Sequence, residues 1–300
     1  MNCTPGIVGR FFLCNNSPVT KKEKEHLFNR VLFRWHTSHY RDMPWRRTHD
    51  PYRILVSEVM LQQTGVDRVR EKYAAFLKAF PTVHILADAS LGDVLRVWSG
   101  LGYNRRAKYL HECAQEVVRM HGGKFPRDEG DLKKLPGIGP STAAALSSFA
   151  FAGDAPMIDT NIRRILVRVF FKKEVPSDRE LYIFAKGLIR RGKGRVWNYA
   201  MLDVGAMLCT ARNHSNECPF VALHGTVGDL AHKKPQTKFT DSRRFYRGKI
   251  LQLLAKEKEV SRTILIRSIG IKIPEMTEIL HDLKKEGLIV MARGKIILPT

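Results

Sequence analysis

LPGIGPSTAA, Leu135–Ala144, joins two segments of helical period through a turn that helix packing alone does not require. Gly137 and Gly139 keep the turn free of side chains, so its backbone N–H groups can approach a phosphate closely. The stretch predicts a helix, a glycine hairpin and a second helix, with an anion site at the hairpin.

Outward from it, the helical period continues in both directions. Asp50 and Pro51 open one helix as N-cap and first-turn proline, with Ile54, Leu55, Val59 and Met60 at three- and four-residue spacing. Further helices are predicted over Tyr73–Phe80, Leu91–Trp98, Arg105–Met120, Thr142–Ala152, Asn161–Phe171 and Tyr182–Arg190. Breaks at Gly100, Gly122-Gly123, Pro126 and Pro136 separate them. An all-α domain of many short helices is expected over 21–227, after an N-terminal tail at 1–20.

Within 228–244, HKKPQTKFTDSRR is polar, basic and aperiodic and reads as a linker. Beyond it, 245–300 offers three helices, Phe245–Ala255, Ser261–Ile269 and Ile273–Glu286. Two β-rich pieces follow, Gly287–Ala292 and Lys295–Leu298, turning at Arg293-Gly294. That order resembles a winged helix. The helix in the recognition position carries Glu275, Glu278 and Asp282 beside Lys284 and Lys285, which leaves DNA docking, protein docking and a structural role all open.

The chain is strongly basic: 51 Lys and Arg against 29 Asp and Glu give a net charge of +22. Such a balance suits a polyanion, nucleic acid first, although basic membrane-surface proteins share it. With 300 residues, 44% of them apolar, the chain can build one larger domain and a smaller one. No apolar run approaches the length of a membrane span, and Ile7–Leu13 is interrupted by Gly9 and Arg10 and lacks a basic leader. Neither a membrane anchor nor a signal peptide is expected. Five cysteines (Cys3, Cys14, Cys113, Cys209 and Cys218), an odd number in a long chain, suit a reducing intracellular compartment better than a disulfide scaffold.

Two acids stand out. Glu58, in VSEVMLQQT, has Ile54, Leu55 and Leu61 one turn away. A carboxyl on such a face loses solvation, which favours its protonated form and fits it for general acid work, whereas spacing alone favours a solvated helix glutamate. Asp159, in MIDTNIRR, immediately precedes a helix and reads as its N-cap. Capping and catalysis are compatible, because the cap fixes the carboxylate at the helix mouth. Together the two acids fit the logic of glycoside hydrolysis, one protonating a leaving base and the other stabilising a sugar cation.

SEVMLQQT, GLGYNRRAKYLHECA, HGGKFP, LPGIGPSTAAA, IDTNIRR and NYAMLDVGAMLC, in order over Arg41–Pro219, together resemble the helix-hairpin-helix (HhH-GPD) DNA glycosylase superfamily. Within it the resemblance is to the MutY branch, which excises adenine from mispairs. It implies that Asp159 is the catalytic aspartate, that Glu58 protonates the adenine ring and helps activate water, and that Asn161 is an active-site asparagine. Pro44, Trp45 and Arg46 match a PWR segment near the base pocket, to which Leu61, Asn104 and Tyr199 would add, and Gln63 matches a glutamine that wedges into the base stack. Ser141 stands where lyase-type relatives carry a lysine, so no amine is placed for a Schiff base and a monofunctional glycosylase is expected. A base in duplex must be flipped out before its bond can be attacked. Leu135, Gly137, Gly139, Ser141 and Thr142 would supply the phosphate anchors, Gln63 the wedge, Glu58 the acid, and Asp159 would face the oxocarbenium-like centre. The implied partner is double-stranded DNA with a mispair or damaged base, bound by a monomer.

The sequence departs from that pattern in two places. Relatives carry four cysteines on an iron–sulfur cluster, whereas here Cys209 and Cys218 remain and Ser215 and His224 fall near the other two positions. Two thiolates cannot hold a cluster that takes four, so no cluster and no required cofactor are expected. The set Cys209, His214, Cys218 and His224 could alternatively hold zinc, at an unusual spacing. The second departure bears on substrate. Asn104 replaces the second tyrosine of GLGYY, Tyr199 replaces a glutamine or glutamate that touches the flipped adenine, and the Nudix-like domain that reads 8-oxoguanine is missing. Asn104 and YRDMPWRRTHDPY (Tyr40–Tyr52) are similar to thymine and uracil mismatch glycosylases of the same superfamily. Adenine opposite 8-oxoguanine or guanine is the expected substrate, thymine or uracil opposite guanine the alternative, and a non-catalytic DNA-binding protein the reading of another class.

Overall fold

The structure, a computed structural model, describes residues 20–171, 175–210, 215–223, 239–257 and 259–300. The N-terminal tail up to 19, the linker from 228 to 238, and His214 and His224 of the candidate zinc set lie outside the described residues.

Helices α1 (Lys21–His39), α2 (Pro51–Leu61), α3 (Val66–Ala79), α4 (Val83–Asp88), α5 (Leu91–Trp98) and α6 (Arg105–His121) come first. They are followed by α7 (Glu129–Leu132), α8 (Pro140–Ala150), α9 (Thr160–Phe170), α10 (Asp178–Leu188) and α11 (Gly194–Met207). The C-terminal module then runs α12 (Arg243–Lys256), β1 (Val260–Ser261), α13 (Arg262–Ile269), α14 (Ile273–Lys285), β2 (Val290–Ala292) and β3 (Lys295–Ile297).

Local chemistry explains where the helices start. Thr20 and Glu23 form a capping box on α1, and Asp50 Oδ1 accepts from the N–H groups of Tyr52 and Arg53 at 2.8 and 3.3 Å. Ser90 caps α5 through the Asp93 N–H at 3.1 Å, and α5 has the predicted bounds. Helix α3 begins two turns before the predicted Tyr73, because its N-cap is Gly65, which has no side chain to mark the start. Helix α12 begins at Arg243, capped by Ser242, so the last residues of the expected linker are already ordered into the module.

Chain contacts divide the molecule into two units, each discontinuous in sequence. The first holds the described residues of 1–42 and 144–233. Its core joins Phe28 and Leu32 of α1 to Ile162 and Leu166 of α9, Leu181 of α10, and Trp197 and Val204 of α11. Phe28 stacks on Phe220 at 4.4 Å between ring centres. Asn29, buried in this core, donates to the Leu188 carbonyl at 2.7 Å and accepts from the Trp197 indole N–H at 3.1 Å. Both ends of its amide are therefore satisfied, as burial demands.

The second unit holds 43–143 and the described residues of 234–300. Ile54, Leu55, Met60, Val69, Phe76, Leu86, Trp98 and Leu110 are buried in its helical part, and Ile250, Leu254, Leu265, Ile279, Leu283 and Ile296 in the C-terminal module. The small sheet has the order β1-β3-β2, antiparallel throughout. Arg293 and Gly294 turn β2 into β3 with φ of 50° and 74°, the hand that matches strand twist in a two-residue hairpin. The all-α expectation thus holds apart from this sheet, and the module runs helix, strand, two helices and two strands. Strand β1 was not expected, since two residues carry no alternation to read. The module is locked to α5: the Gly92 N–H donates to the Pro299 carbonyl at 2.7 Å, and a Cβ on Gly92 would stand 2.5 Å from that oxygen.

Candidate active site

In the first unit, Asp159 ends an extended segment and caps α9. Its Oδ1 accepts from the N–H groups of Asn161 and Ile162 at 2.9 and 2.7 Å, while Oδ2 takes the Asn161 amide at 3.1 Å. One oxygen is thus committed to the helix and the other is held by a single side chain. Burial pushes the Asp159 carboxyl above its ordinary value, against the lowering by those N–H groups, by Arg164 and by the Asn161 amide. The approach to Asp159 is pinned by Asn198 of α11, which accepts from the Met157 N–H at 2.8 Å and donates to the Ala155 carbonyl at 2.8 Å and the Ser148 hydroxyl at 3.2 Å.

Asn161 is itself placed from behind. Arg164, one turn on, donates to Asn161 Oδ1 at 2.7 Å, to the Gly205 carbonyl at 2.9 Å and to the Cys209 carbonyl at 2.6 Å. The Asn161 side chain lies against Gly205, where a Cβ would come within 2.6 Å of the Asn161 Cβ. A line of contacts therefore runs from the C-terminal end of α11 through Arg164 and Asn161 to Asp159 Oδ2. Another turn along α9, Arg168 donates to the Cys209 sulfur at 3.1 Å and the Thr210 carbonyl at 3.2 Å. Cys209 and Cys218 are both buried. Tyr199 is buried too, stacked on Phe149 at 4.2 Å with the Arg195 guanidinium over its ring.

In the second unit, Glu58 lies on α2, whose residues from Ile54 to Met60 are all buried, and is itself 8% exposed. The solvated alternative for this glutamate is thereby set aside. Leu61, half-buried, ends the helix, and Gln63 follows, exposed and with φ of 56°. A left-handed glutamine costs about 1–2 kcal/mol and needs a neighbour to hold it. That neighbour is Arg106 of α6. It donates to the carbonyls of Val59, Met60 and Gln62 at 2.7, 2.9 and 2.5 Å, and to the Thr64 hydroxyl at 3.0 Å. The same guanidinium reaches the carbonyls of Leu101 and Gly102 at 3.3 and 3.2 Å. Burial lowers it to about 10, so it stays charged at neutral pH and clamps the end of α2 to the GLGYN loop. In that loop Tyr103 has φ of 47° and an exposed ring, and Asn104 leads into α6 without a side-chain cap.

The hairpin is rooted by buried Leu135 and Ile138, with the Ile138 N–H on the Leu135 carbonyl at 3.2 Å. At 4% exposure, Leu135 can meet a ligand only through its backbone. Gly137 has φ of 73° and a Cβ there would strike the Tyr109 Cβ at 2.6 Å, so both conformation and space require glycine. Gly139 faces open space, which leaves its backbone approachable. Ser141, half-buried, and Thr142, buried, stand in the first turn of α8, where N–H groups have no intrahelical carbonyl to bond. Trp45 and Arg46, both buried, form a short turn with exposed Pro44, and Trp45 meets Tyr73 edge to face at 5.5 Å.

Each unit thus gathers part of the expected set: Asp159, Asn161 and Tyr199 in the first, and Glu58, Gln63, Asn104, Trp45, Arg46 and the hairpin in the second. Sequence reasoning passed over Arg106, Arg164, Asn198 and Gly205, which position the others. Signals for two of them existed. Arg106 falls on the apolar stripe of α6 with Leu110, Cys113 and Val117, and Gly205 interrupts a helix interior without ending it.

Residues 56–191 match the HhH-GPD superfamily base excision DNA repair protein family. The chain is 38% identical over 232 residues to an adenine DNA glycosylase of Mycolicibacterium smegmatis, covering 74% of this chain and 78% of that one. It is 36% identical over 255 residues to an adenine DNA glycosylase of Mycobacterium tuberculosis, covering 80% and 83%. Among solved structures, a thermostable thymine-DNA glycosylase superposes with a TM-score of 0.64 at 29% identity, over 68% of this chain and 96% of that one. Endonuclease III in a trapped covalent complex with DNA superposes with a TM-score of 0.61 over 69% and 96%, at 21% identity.

Proposed function

Since the chain belongs to the HhH-GPD superfamily of base excision DNA repair proteins, we propose that it hydrolyses the N-glycosidic bond of adenine mispaired with 8-oxoguanine or guanine in duplex DNA. The similarity to adenine DNA glycosylases over 74–80% of this chain favours adenine over thymine or uracil. The observation that carries the chemistry is the division of labour at Asp159, one oxygen capping α9 and the other held only by an amide. A carboxylate so fixed can stabilise the positive charge that develops on the sugar as the bond to adenine breaks. Glu58, withdrawn from solvent on α2, would give the proton that makes adenine a leaving group, and water would complete the hydrolysis. Ser141 brings no amine, which supports a monofunctional reaction. The first turn of α8 and Gly139 would hold backbone phosphates while Gln63 fills the gap left by the flipped base.

The described residues do not supply the four ligands of an iron–sulfur cluster. Of the described residues near Cys209, only Cys218 is a second thiol, and the Cys209 sulfur already accepts from Arg168. An arginine there places positive charge where a metal would place more. The enzyme would therefore work without a cluster, with Arg164 and Arg168 tying the Cys209 segment to α9. Metal analysis of the purified protein, showing neither iron nor zinc near one equivalent, is the expected result.

The test is alkaline strand cleavage of labelled duplexes carrying A·8-oxoG, A·G, T·G and U·G pairs, with Asp159→Asn as control. Cleavage at adenine, lost in the variant, is expected. Cleavage only at thymine or uracil would overturn the substrate, and binding without any cleavage would leave a non-catalytic DNA-binding protein.

A further inference from the structure

The C-terminal module belongs to the unit that carries the hairpin, and its recognition helix is already engaged. Glu278 and Asp282 of α14 and its C-cap residue Glu286 form a stripe at four-residue spacing. Arg243 of α12 donates to Glu278 at 3.2 Å and to Asp282 at 2.6 Å, and Arg247 pairs with Glu286. Of the acids that left the role of this helix open, Glu278 and Asp282 are thus paired with α12 inside the module, while Glu275 takes no part in these pairs.

Lys285, exposed at the end of α14, lies on a cavity of about 450 Å³ whose other lining residues are Arg105, Lys108 and Tyr109 of α6 with Asp282 and Glu286. Both carboxylates are the ones paired with α12, and Lys108 pairs with Glu112 of its own helix at 3.1 Å, so the cavity presents Arg105, Lys285, the partly engaged Lys108 and a phenol. Arg105 donates to the Tyr109 oxygen at 2.9 Å, which leaves the phenolic proton to be given elsewhere. Tyr109 is also the residue against which Gly137 of the hairpin packs. On its other side, α6 follows the loop of Tyr103, whose hydroxyl accepts from Arg244 of α12 at 3.3 Å. Tyr109 thus links the cavity wall to the hairpin, and Arg244 ties α12 to the loop that precedes α6.

We propose that the cleft between α6 and α14 is a second grip on the DNA backbone, in which Arg105, Lys108 and Lys285 bind a phosphate of the duplex anchored by the hairpin. The idea rests on the reading above in one respect, that the substrate is duplex DNA. A concave site with three cations and a hydroxyl donor matches a phosphate diester, and contacts of this kind add affinity without reading sequence. The winged-helix order here lengthens the footprint of a glycosylase and reads no base.

Binding of the full chain to a labelled duplex, with and without an A·8-oxoG pair, tests this in an Asp159→Asn background. Salt would be varied from about 50 to 200 mM, where each phosphate contact contributes about 0.9 to the log–log slope. Lys285→Gln and Arg105→Gln are each expected to weaken both duplexes about threefold or more at low salt and to flatten the slope by about 0.9. Lys284→Gln, beside the cavity but not lining it, should leave the slope unchanged. Unchanged slopes in both cavity variants, with adenine excision by the wild type intact, would reject the cleft and leave the glycosylase reading standing. A loss confined to the mispaired duplex would also reject it, because the site would then be reading the lesion. A wild type that binds duplex but excises nothing removes the glycosylase reading while the slopes still decide the cleft. A wild type that binds no duplex removes both.

Discussion

Gly205 and Asn161 touch so closely that a methyl group on Gly205 would stand 2.6 Å from the Asn161 Cβ. The last turn of α11 carries a glycine there, at a cost of up to about 1 kcal/mol, because α9 needs the space. Gly205→Ala would regain that propensity but overpack the contact, which costs about 1–3 kcal/mol. The clash wins, so we expect a modest fall in denaturation midpoint, a shifted Asn161, and single-turnover excision slowed about tenfold or more with DNA affinity retained. A more stable variant with wild-type turnover would show that Asn161 needs no such placement.

Asp159→Asn and Asp159→Ala separate capping from charge. Asparagine caps as well as aspartate, whereas alanine forfeits about 1 kcal/mol. Both variants should lose base excision and still bind mispaired duplex, but only the alanine variant should lose stability through the cap. Excision at the wild-type rate in Asp159→Asn would remove the role assigned to the carboxylate.

The raised carboxyl of Asp159 fixes the sign of a pH effect. A folded-state value above the unfolded one means that the native protein binds the extra proton, so the charged form costs stability at neutral pH. Asp159→Asn should therefore be at least as stable as wild type near pH 7. Its advantage should shrink as the pH falls through the raised folded-state value and vanish below the ordinary aspartate value of 3.8, where both states of the wild type are protonated. Urea titrations of the two proteins across that range would reveal a constant or widening gap if burial does not govern this group.

Glu58→Gln keeps the shape of a buried side chain and removes its proton. Adenine is a poor leaving group without protonation, so excision should slow by about 100-fold or more. Thymine or uracil needs less help, and a loss under about tenfold would point to a pyrimidine substrate. Rates under single-turnover conditions with saturating enzyme make the comparison.

Arg106→Lys conserves the charge but cannot span six acceptors with one ammonium. Each buried carbonyl left unpaired costs about 1–3 kcal/mol, so a loss of several kcal/mol in urea denaturation is expected. Protease sensitivity around Gln63 should rise with it, because Arg106 bonds the Gln62 carbonyl and the Thr64 hydroxyl on either side of the left-handed residue.

The fold was legible wherever a cap or a period announced it. Asp50-Pro51, Ser90 and the Arg293-Gly294 turn each state their geometry in side-chain chemistry, and the helices beside them have the bounds read from the sequence or lie within a turn of them. What stayed hidden was silent for a physical reason: Gly65 caps with no side chain, α4 is shorter than two periods, and β1 has two residues. At the candidate site, residue types that do chemistry in isolation, Glu58 and Asp159, could be picked out. Arg106, Arg164 and Asn198 act by bonding distant carbonyls, and a single sequence does not say which carbonyl an arginine or asparagine will find.

Asn29 bonds Leu188 and Trp197 across 159 and 168 positions of chain. On the ribosome, α1 emerges with Phe28 and Leu32 uncovered, and the residues that will bury them are synthesised last among the core helices of their unit. At about 5–20 residues per second, that wait lasts roughly 8–30 s. The nascent chain must therefore hold the apolar face of an otherwise polar helix open to solvent, or to a chaperone, until translation has passed α11. Cotranslational capture, more than the stability of the finished molecule, would then decide how much active protein a cell obtains from each message.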